Sequence, residues 1–73
     1  LRVIITAHAK KRLSDLRQKG ISTPEIVEAA LKIPGYVPAA TRFRRFTTRT
    51  GKEFDLVVKD VASGRLIITI IGK

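Results

Sequence analysis

Apolar and polar positions change period along this chain of 73 residues, and each change marks an element. Leu1-Arg2-Val3-Ile4-Ile5 is short and rich in branched side chains, which predicts a β-strand. Over residues 7–19, Ala9, Leu13 and Leu16 recur at helical spacing and predict one helix with a narrow apolar stripe. Thr6 caps its start, Gly20 stops it, and Ile21 folds back onto its last turn. Ser22-Thr23-Pro24-Glu25 starts a second helix in either of two ways. With Ser22 as cap, Glu25 completes a capping box; with Thr23 as cap, Pro24 takes the favoured first helical position. This helix turns Ile26, Val27, Ala30 and Leu31 to the core and ends at Ile33-Pro34-Gly35.

Beyond the short loop Tyr36-Val37-Pro38 the period shortens to that of strands. Residues 41–49 read as a strand and Thr50-Gly51-Lys52 as a hairpin turn, after which Phe54, Leu56 and Val58 alternate with Asp55, Val57 and Lys59. Ala62-Ser63-Gly64 is a second turn, and residues 66–71 form a final strand. Its almost unbroken apolarity predicts a central strand covered on both faces. The expected fold is α+β over a single domain, residues 1–73, in the order β-α-α-β-β-β. Two N-terminal helices pack on one face of a small, mostly antiparallel four-stranded sheet. The chain opens at leucine and is read as a trimmed chain or a piece of a longer protein.

Charge changes the picture from fold to function. Fifteen Lys and Arg against six Asp and Glu give +9, beyond the usual range for a small domain. Residues 1–20 carry six bases and one acid, residues 41–73 eight bases and three acids, and residues 21–40 one lysine and two glutamates. Two basic blocks around a near-neutral segment fit a nucleic-acid footprint better than a surface tuned for solubility. An anionic membrane surface fits less well, because the first helix carries charge round much of its circumference. No run approaches the ~20 apolar residues of a membrane span, and the opening strand is too short for a signal peptide. Without cysteine there are no disulfides or thiolate ligands. One histidine and scattered acids match no metal-ligand pattern, and no Walker or dinucleotide fingerprint is present, so no cofactor is expected.

Two constellations carry candidate chemistry. His8 and Arg12 lie four apart on the first helix, on a face bordering the buried stripe. In ribonuclease chemistry an imidazole moves a proton at the 2′-hydroxyl or at the leaving oxygen while a cation steadies charge building on phosphorus. The bland reading makes His8 a hydrogen-bonding helix residue and Arg12 a partner for Asp15. The second constellation is Arg42-Phe43-Arg44-Arg45-Phe46-Thr47-Thr48-Arg49, followed by Lys52. Strict alternation puts Arg42, Arg44 and Phe46 on one face, and Phe43, Arg45 and Arg49 on the other. Each phenylalanine is then open between core and base stacking, while the arginines bind the phosphate backbone. Glu53 and Asp55 either orient an arginine, serve in proton transfer, or balance charge.

His8-Ala9-Lys10-Lys11-Arg12, then Gly20-Ile21-Ser22 and Glu25-Ile26, and later Ile67-Ile68-Thr69, resemble the hallmarks of DUF4258-type small proteins. These sit close to the RelE-like and BrnT-like toxins and to the wider barnase, colicin D and colicin E5 class of ribonuclease folds. The likeness covers nearly the whole chain through short motifs. It implies a RelE/barnase-like fold and metal-independent RNA cleavage, with His8 as acid–base residue, Arg12 and Arg45 or Arg44 as phosphate clamps, and Thr69 as an active-site hydroxyl. Lys11, Arg42, Arg44, Arg49 and Lys52 complete the expected RNA-contacting set. The resemblance also implies an acidic antitoxin or immunity protein as partner. It places the site of action in the cytoplasm, reached either directly or by delivery within a larger secreted toxin. Messenger RNA and tRNA are both open as substrates. The competing classes are a non-catalytic RNA- or DNA-binding module, which tolerates a packed His8, and a protein-interaction domain, which leaves an apolar patch exposed.

Overall fold

The computed structural model describes residues 1–15 and 18–73. The elements run β1 (Val3–Ile5), α1 (Ala7–Arg12), α2 (Thr23–Lys32), β2 (Thr41–Thr47), β3 (Glu53–Val61) and β4 (Gly64–Gly72). The four strands form one sheet in the order β1-β4-β3-β2. β1 pairs parallel to β4, whereas β4–β3 and β3–β2 are antiparallel. The α+β class, with two helices and a four-stranded mixed sheet, therefore holds. No helix of the described residues is long and apolar enough to cross a membrane.

The first helix is shorter than its apolar period predicts. It ends at Arg12 because Ser14 and Asp15 divert the backbone: Ser14 Oγ donates to the Lys11 carbonyl at 2.7 Å. The Ser14 and Asp15 amides reach back only three residues, to Lys11 and Arg12, the tighter bonding that closes off a helix. Leu16 and Arg17, expected within that helix, lie outside the described residues. Thr6 does cap α1, accepting from the Ala9 amide. For α2 the choice of cap falls to Ser22, whose hydroxyl accepts from the Glu25 amide while Glu25 accepts from the Ser22 amide. α2 buries Ile26, Ala29 and Ala30 and leaves Leu31 exposed, so Ala29 takes the place expected for Leu31.

The core lies between the helices and one sheet face. Ala9, Ile26, Ala29 and Ala30 of the helices meet Phe54, Leu56, Val58, Ile67 and Ile70 of the sheet, with Phe43 and Phe46 packed at its margin. Two β-bulges set this arrangement. In β2, two residues, Arg44 and Arg45, stand against Asp55 alone, so Phe43 pairs with Leu56 and Phe46 with Phe54 and both rings reach the core face. The alternation expected for β2 is thereby corrected: both phenylalanines are half-buried against the core, and Phe46 lies 5.7 Å from Phe54 between ring centroids. In β4, Ile68 is the extra residue, so Ile67 and Ile70, three apart, both face inward opposite Val58 and Leu56.

β4 is central, as its apolarity predicts, but the helices cover only one of its faces. On the other, Ile4, Val57, Leu66, Thr69 and Ile71 are half-buried. At the start of β4, Gly64 has φ +144, and a Cβ there would collide with the Arg2 carbonyl oxygen. The neighbouring amide of Arg65 donates to that same oxygen at 2.7 Å, so β1 cannot back away without losing a ladder bond. Gly64→Ala is therefore expected to cost about 2 kcal/mol or more, measured by urea unfolding; an unchanged midpoint would show that the β1–β4 junction yields.

Candidate functional site

The sheet places the expected residues in three groups. The first is the α1 surface. Thr6 is tied to β4 by its amide, 3.2 Å from the Ile67 carbonyl, and by its hydroxyl, 2.8 Å from that carbonyl and 3.3 Å from that of Ile68. These bonds set the first turn of α1 beside the Ile68 bulge, one residue before Thr69. His8 is exposed there, and with Lys11, Arg12, Ser14 and Asp15 it lines an open depression of roughly 360 Å³. Arg12 faces Asp15 at 3.7 Å, with both side chains more than a third exposed or close to it (34% and 41%). An ion pair so long and so wet contributes little to stability, which leaves the guanidinium able to exchange a carboxylate for a phosphate.

The second group lies across the outer sheet face. Arg42, Val57 and Thr69 form one transverse row, since Arg42 pairs with Val57 and Val57 with Thr69. Two strand spacings separate Arg42 from Thr69, about 10 Å. Arg42 is not free: its Nε and Nη2 donate to Asp55 Oδ2 at 2.9 and 2.7 Å. Asp55 is fully buried and also accepts from the Arg45 amide at 3.0 Å on Oδ1, with Lys73 Nζ 3.3 Å from Oδ2. Burial works to raise the Asp55 carboxyl, but the bonds from Arg45, Arg42 and Lys73 together outweigh it and hold the group below the usual carboxylate range. Arg44 and Arg45 are exposed, and their guanidinium groups meet no acid among the described residues.

The third group flanks the β2–β3 turn. Arg49 is exposed, and its amide donates to Glu25 Oε2 at 2.8 Å, joining the turn to the start of α2. Hydrogen bonds from the Ser22 hydroxyl and then the Arg49 amide keep Glu25 below its ordinary carboxyl range. Lys52 is half-buried: its Nζ donates to the Lys73 carbonyl at 3.1 Å, and its stem passes close to Gly20.

The two basic blocks are thus set apart. The His8 depression is lined by α1 and the turn after it, and none of Arg42, Arg44, Arg45, Arg49, Lys52 or Thr69 lines it. Thr69 is linked to α1 through the backbone of its neighbour Ile68, while the β2 arginines lie two strands farther on. Sequence reasoning left Asp55 open between three roles; its four donors tie it to Arg42, Arg45 and Lys73. The buried Asp60–Arg65 pair escaped that reasoning altogether, although a hairpin turn at Ala62-Ser63 puts the two residues directly opposite each other. Comparison with known proteins finds no family model, no curated protein and no solved structure that matches this chain.

Proposed function

We propose that this domain binds single-stranded RNA and cleaves it without a metal ion, with His8 moving the proton. The observation that carries this reading is the exposed imidazole beside Lys11 and Arg12 in an open depression, on a chain of net charge +9. In the proposed step the 2′-hydroxyl oxygen attacks the adjacent phosphorus. The O2′–P bond forms as the hydroxyl proton passes to His8, and the P–O5′ bond breaks as the departing O5′ takes a proton from water, after which His8 gives its own proton back to solvent. The products are a 2′,3′-cyclic phosphate and a 5′-hydroxyl. Arg12 counters charge on the phosphorane oxygens, and Thr69, on the outer sheet face one residue beyond the Ile68 bulge, offers a hydroxyl to RNA that continues past the depression. Arg44, Arg45 and Arg49 hold the phosphates that run across the sheet edge. Cellular RNA as substrate puts the site of action in the cytoplasm, and the cationic surface next to a half-exposed apolar sheet face suits an acidic inhibitor protein.

A second reading, RNA binding without cleavage, is favoured by one observation. Among the described residues the one acid lining the depression is Asp15, which already faces Arg12. One experiment separates the two. The purified domain is incubated with a single-stranded oligoribonucleotide in excess EDTA, beside an identical strand carrying 2′-deoxy sugars. Cleavage of the ribose strand alone, ending in a cyclic phosphate, is the expected result. Salt-dependent binding with no cleavage establishes the binding module instead, and each phosphate contact then adds about 0.7 to the slope of log affinity against log salt.

A further inference from the structure

Asp55 has an environment that charge balance alone does not require. It lies on the sheet face that carries no helix, yet it is fully buried because four donors close over it: Arg42 Nε and Nη2, the Arg45 amide and Lys73 Nζ. The Arg45 bond is the informative one. A bulge leaves one residue outside the ladder, and Arg45 has φ +66, the only non-glycine residue with positive φ among the described residues. Left-handed backbone costs an arginine of order 1 kcal/mol or more, and its amide would otherwise have no ladder partner. The Asp55 carboxylate supplies that partner at the strand position facing both bulge residues. It also draws Arg42 down onto itself, so Arg42 braces the site while Arg44 and Arg45 remain exposed side by side on the outermost strand.

We propose that Asp55 is a positioning residue that holds the β2 bulge in shape so that Arg44 and Arg45 present two adjacent guanidinium groups to the phosphodiester backbone of bound RNA. This rests on the RNA-binding reading given above. Arg42, by contrast, is part of the frame, and its charge is already satisfied. The device explains why an acid sits in the middle of the most basic stretch of the chain: it organises the surrounding arginines at the cost of one unit of attraction.

The test exploits a conflict of sign. Removing a carboxylate from a polyanion-binding surface raises affinity if charge alone matters. The positioning role gives the opposite outcome. Affinity for a single-stranded oligoribonucleotide is measured against salt for the parent, Asp55→Ala, Asp55→Asn and the double variant Arg44→Ala/Arg45→Ala. Asp55→Ala is expected to weaken binding about tenfold and to lower the salt slope by about 1.4, the equivalent of two phosphate contacts. Asp55→Asn keeps an oxygen for the Arg45 amide and is expected to bind within about twofold of the parent, since one retained hydrogen bond suffices. Asp55→Ala added to the double variant is expected to cause no further loss. Equal or tighter binding by Asp55→Ala, or the same loss in both backgrounds, overturns the proposal. Should Asp55→Ala not fold, the parent decides: the arginine Nε resonances of Arg44 and Arg45 must shift as RNA is added, and unmoved resonances during saturable binding overturn it. A parent that binds no RNA removes the RNA reading and this inference with it, whereas binding that bypasses Arg44 and Arg45 removes the inference alone.

Discussion

Arg65→Ala is expected to lower the unfolding free energy by about 3–5 kcal/mol, the cost of breaking a buried ion pair from one side. For 73 residues the total stability is about 4–11 kcal/mol, so this single change removes a large part of it. The guanidinium is 1% exposed and makes five hydrogen bonds. Nε and Nη2 grip Asp60 at 2.6 and 2.9 Å, Nη1 donates to the Ala30 and Ile33 carbonyls at 2.8 Å, and Nη2 to Gly35 at 2.8 Å. Ala30 and Ile33 stand at the end of α2, where carbonyls run short of helical partners and the helix dipole favours a cation; Gly35 lies in the loop beyond. Asp60 in turn accepts from the Val37 amide at 2.8 Å. One side chain thus ties β4, β3, the end of α2 and the loop that follows. Arg65→Lys keeps the charge but not the planar fork and is expected to recover only part of the loss.

The same pair gives a pH signature. The Arg65 guanidinium, hydrogen-bonded to it, holds the Asp60 carboxyl down from 3.8 to about 2. A carboxyl depressed by folding contributes stability that is complete above its unfolded value and is lost as pH falls through its folded one. The Asp60 contribution is therefore whole at pH 5 and disappears between about pH 4 and pH 2. In Arg65→Ala the largest lowering contact is gone and burial is opposed only by the Val37 amide, so Asp60 picks up a proton at higher pH. Urea midpoints for both proteins between pH 2 and pH 7 should converge at the acid end, because the parent has by then lost what the variant never had. Parallel curves across that range would show that the pair does not couple to folding.

How far these features can be read from the sequence depends on the kind of interaction that fixes them. Caps and turns are local, and so Thr6, Ser22-Glu25 and Gly51 stand where their chemistry indicates. The order of elements follows from the periods, and the central place of β4 from its composition. What strict alternation misses is the pair of bulges. Phe43 and Phe46 are three apart, as are Ile67 and Ile70, and a regular strand sends such pairs to opposite faces. Both pairs reach one face only because each strand carries an extra residue. Three phenylalanines in so short a chain are a signal for this, since a small core can hardly spare one to solvent. The bulge in β2 also depends on Asp55, an acid that charge counting assigns to solvent. Arg65 is hidden for the same reason: charged residues are expected outside, and nothing local shows that three backbone carbonyls and an aspartate converge on one guanidinium. The separation of the two basic blocks is likewise a property of strand order, which sets β1 and β2 at opposite edges.

His8→Ala is expected to reduce the rate of RNA cleavage by about 10²–10⁴-fold, the usual contribution of a positioned proton-transfer group, while RNA affinity stays within about twofold of the parent. Because His8 is exposed on α1, removing it creates no cavity, and substitutions at such positions change stability by about 0.5 kcal/mol or less. A loss of rate then cannot be a loss of fold, and matched urea midpoints would document this. Arg12→Ala is expected to lower the rate through the charge on phosphorus and also to weaken binding and reduce the salt slope by about 0.7. His8→Ala leaves that slope alone, which separates proton transfer from phosphate attraction within one helix. The assays use single-turnover cleavage in EDTA, so product release does not mask the chemical step. Cleavage that continues at the parent rate without His8 would move the chemistry elsewhere in the protein, and the first place to look would be the open face of the sheet, where Thr69 stands two strands from the exposed Arg44 and Arg45.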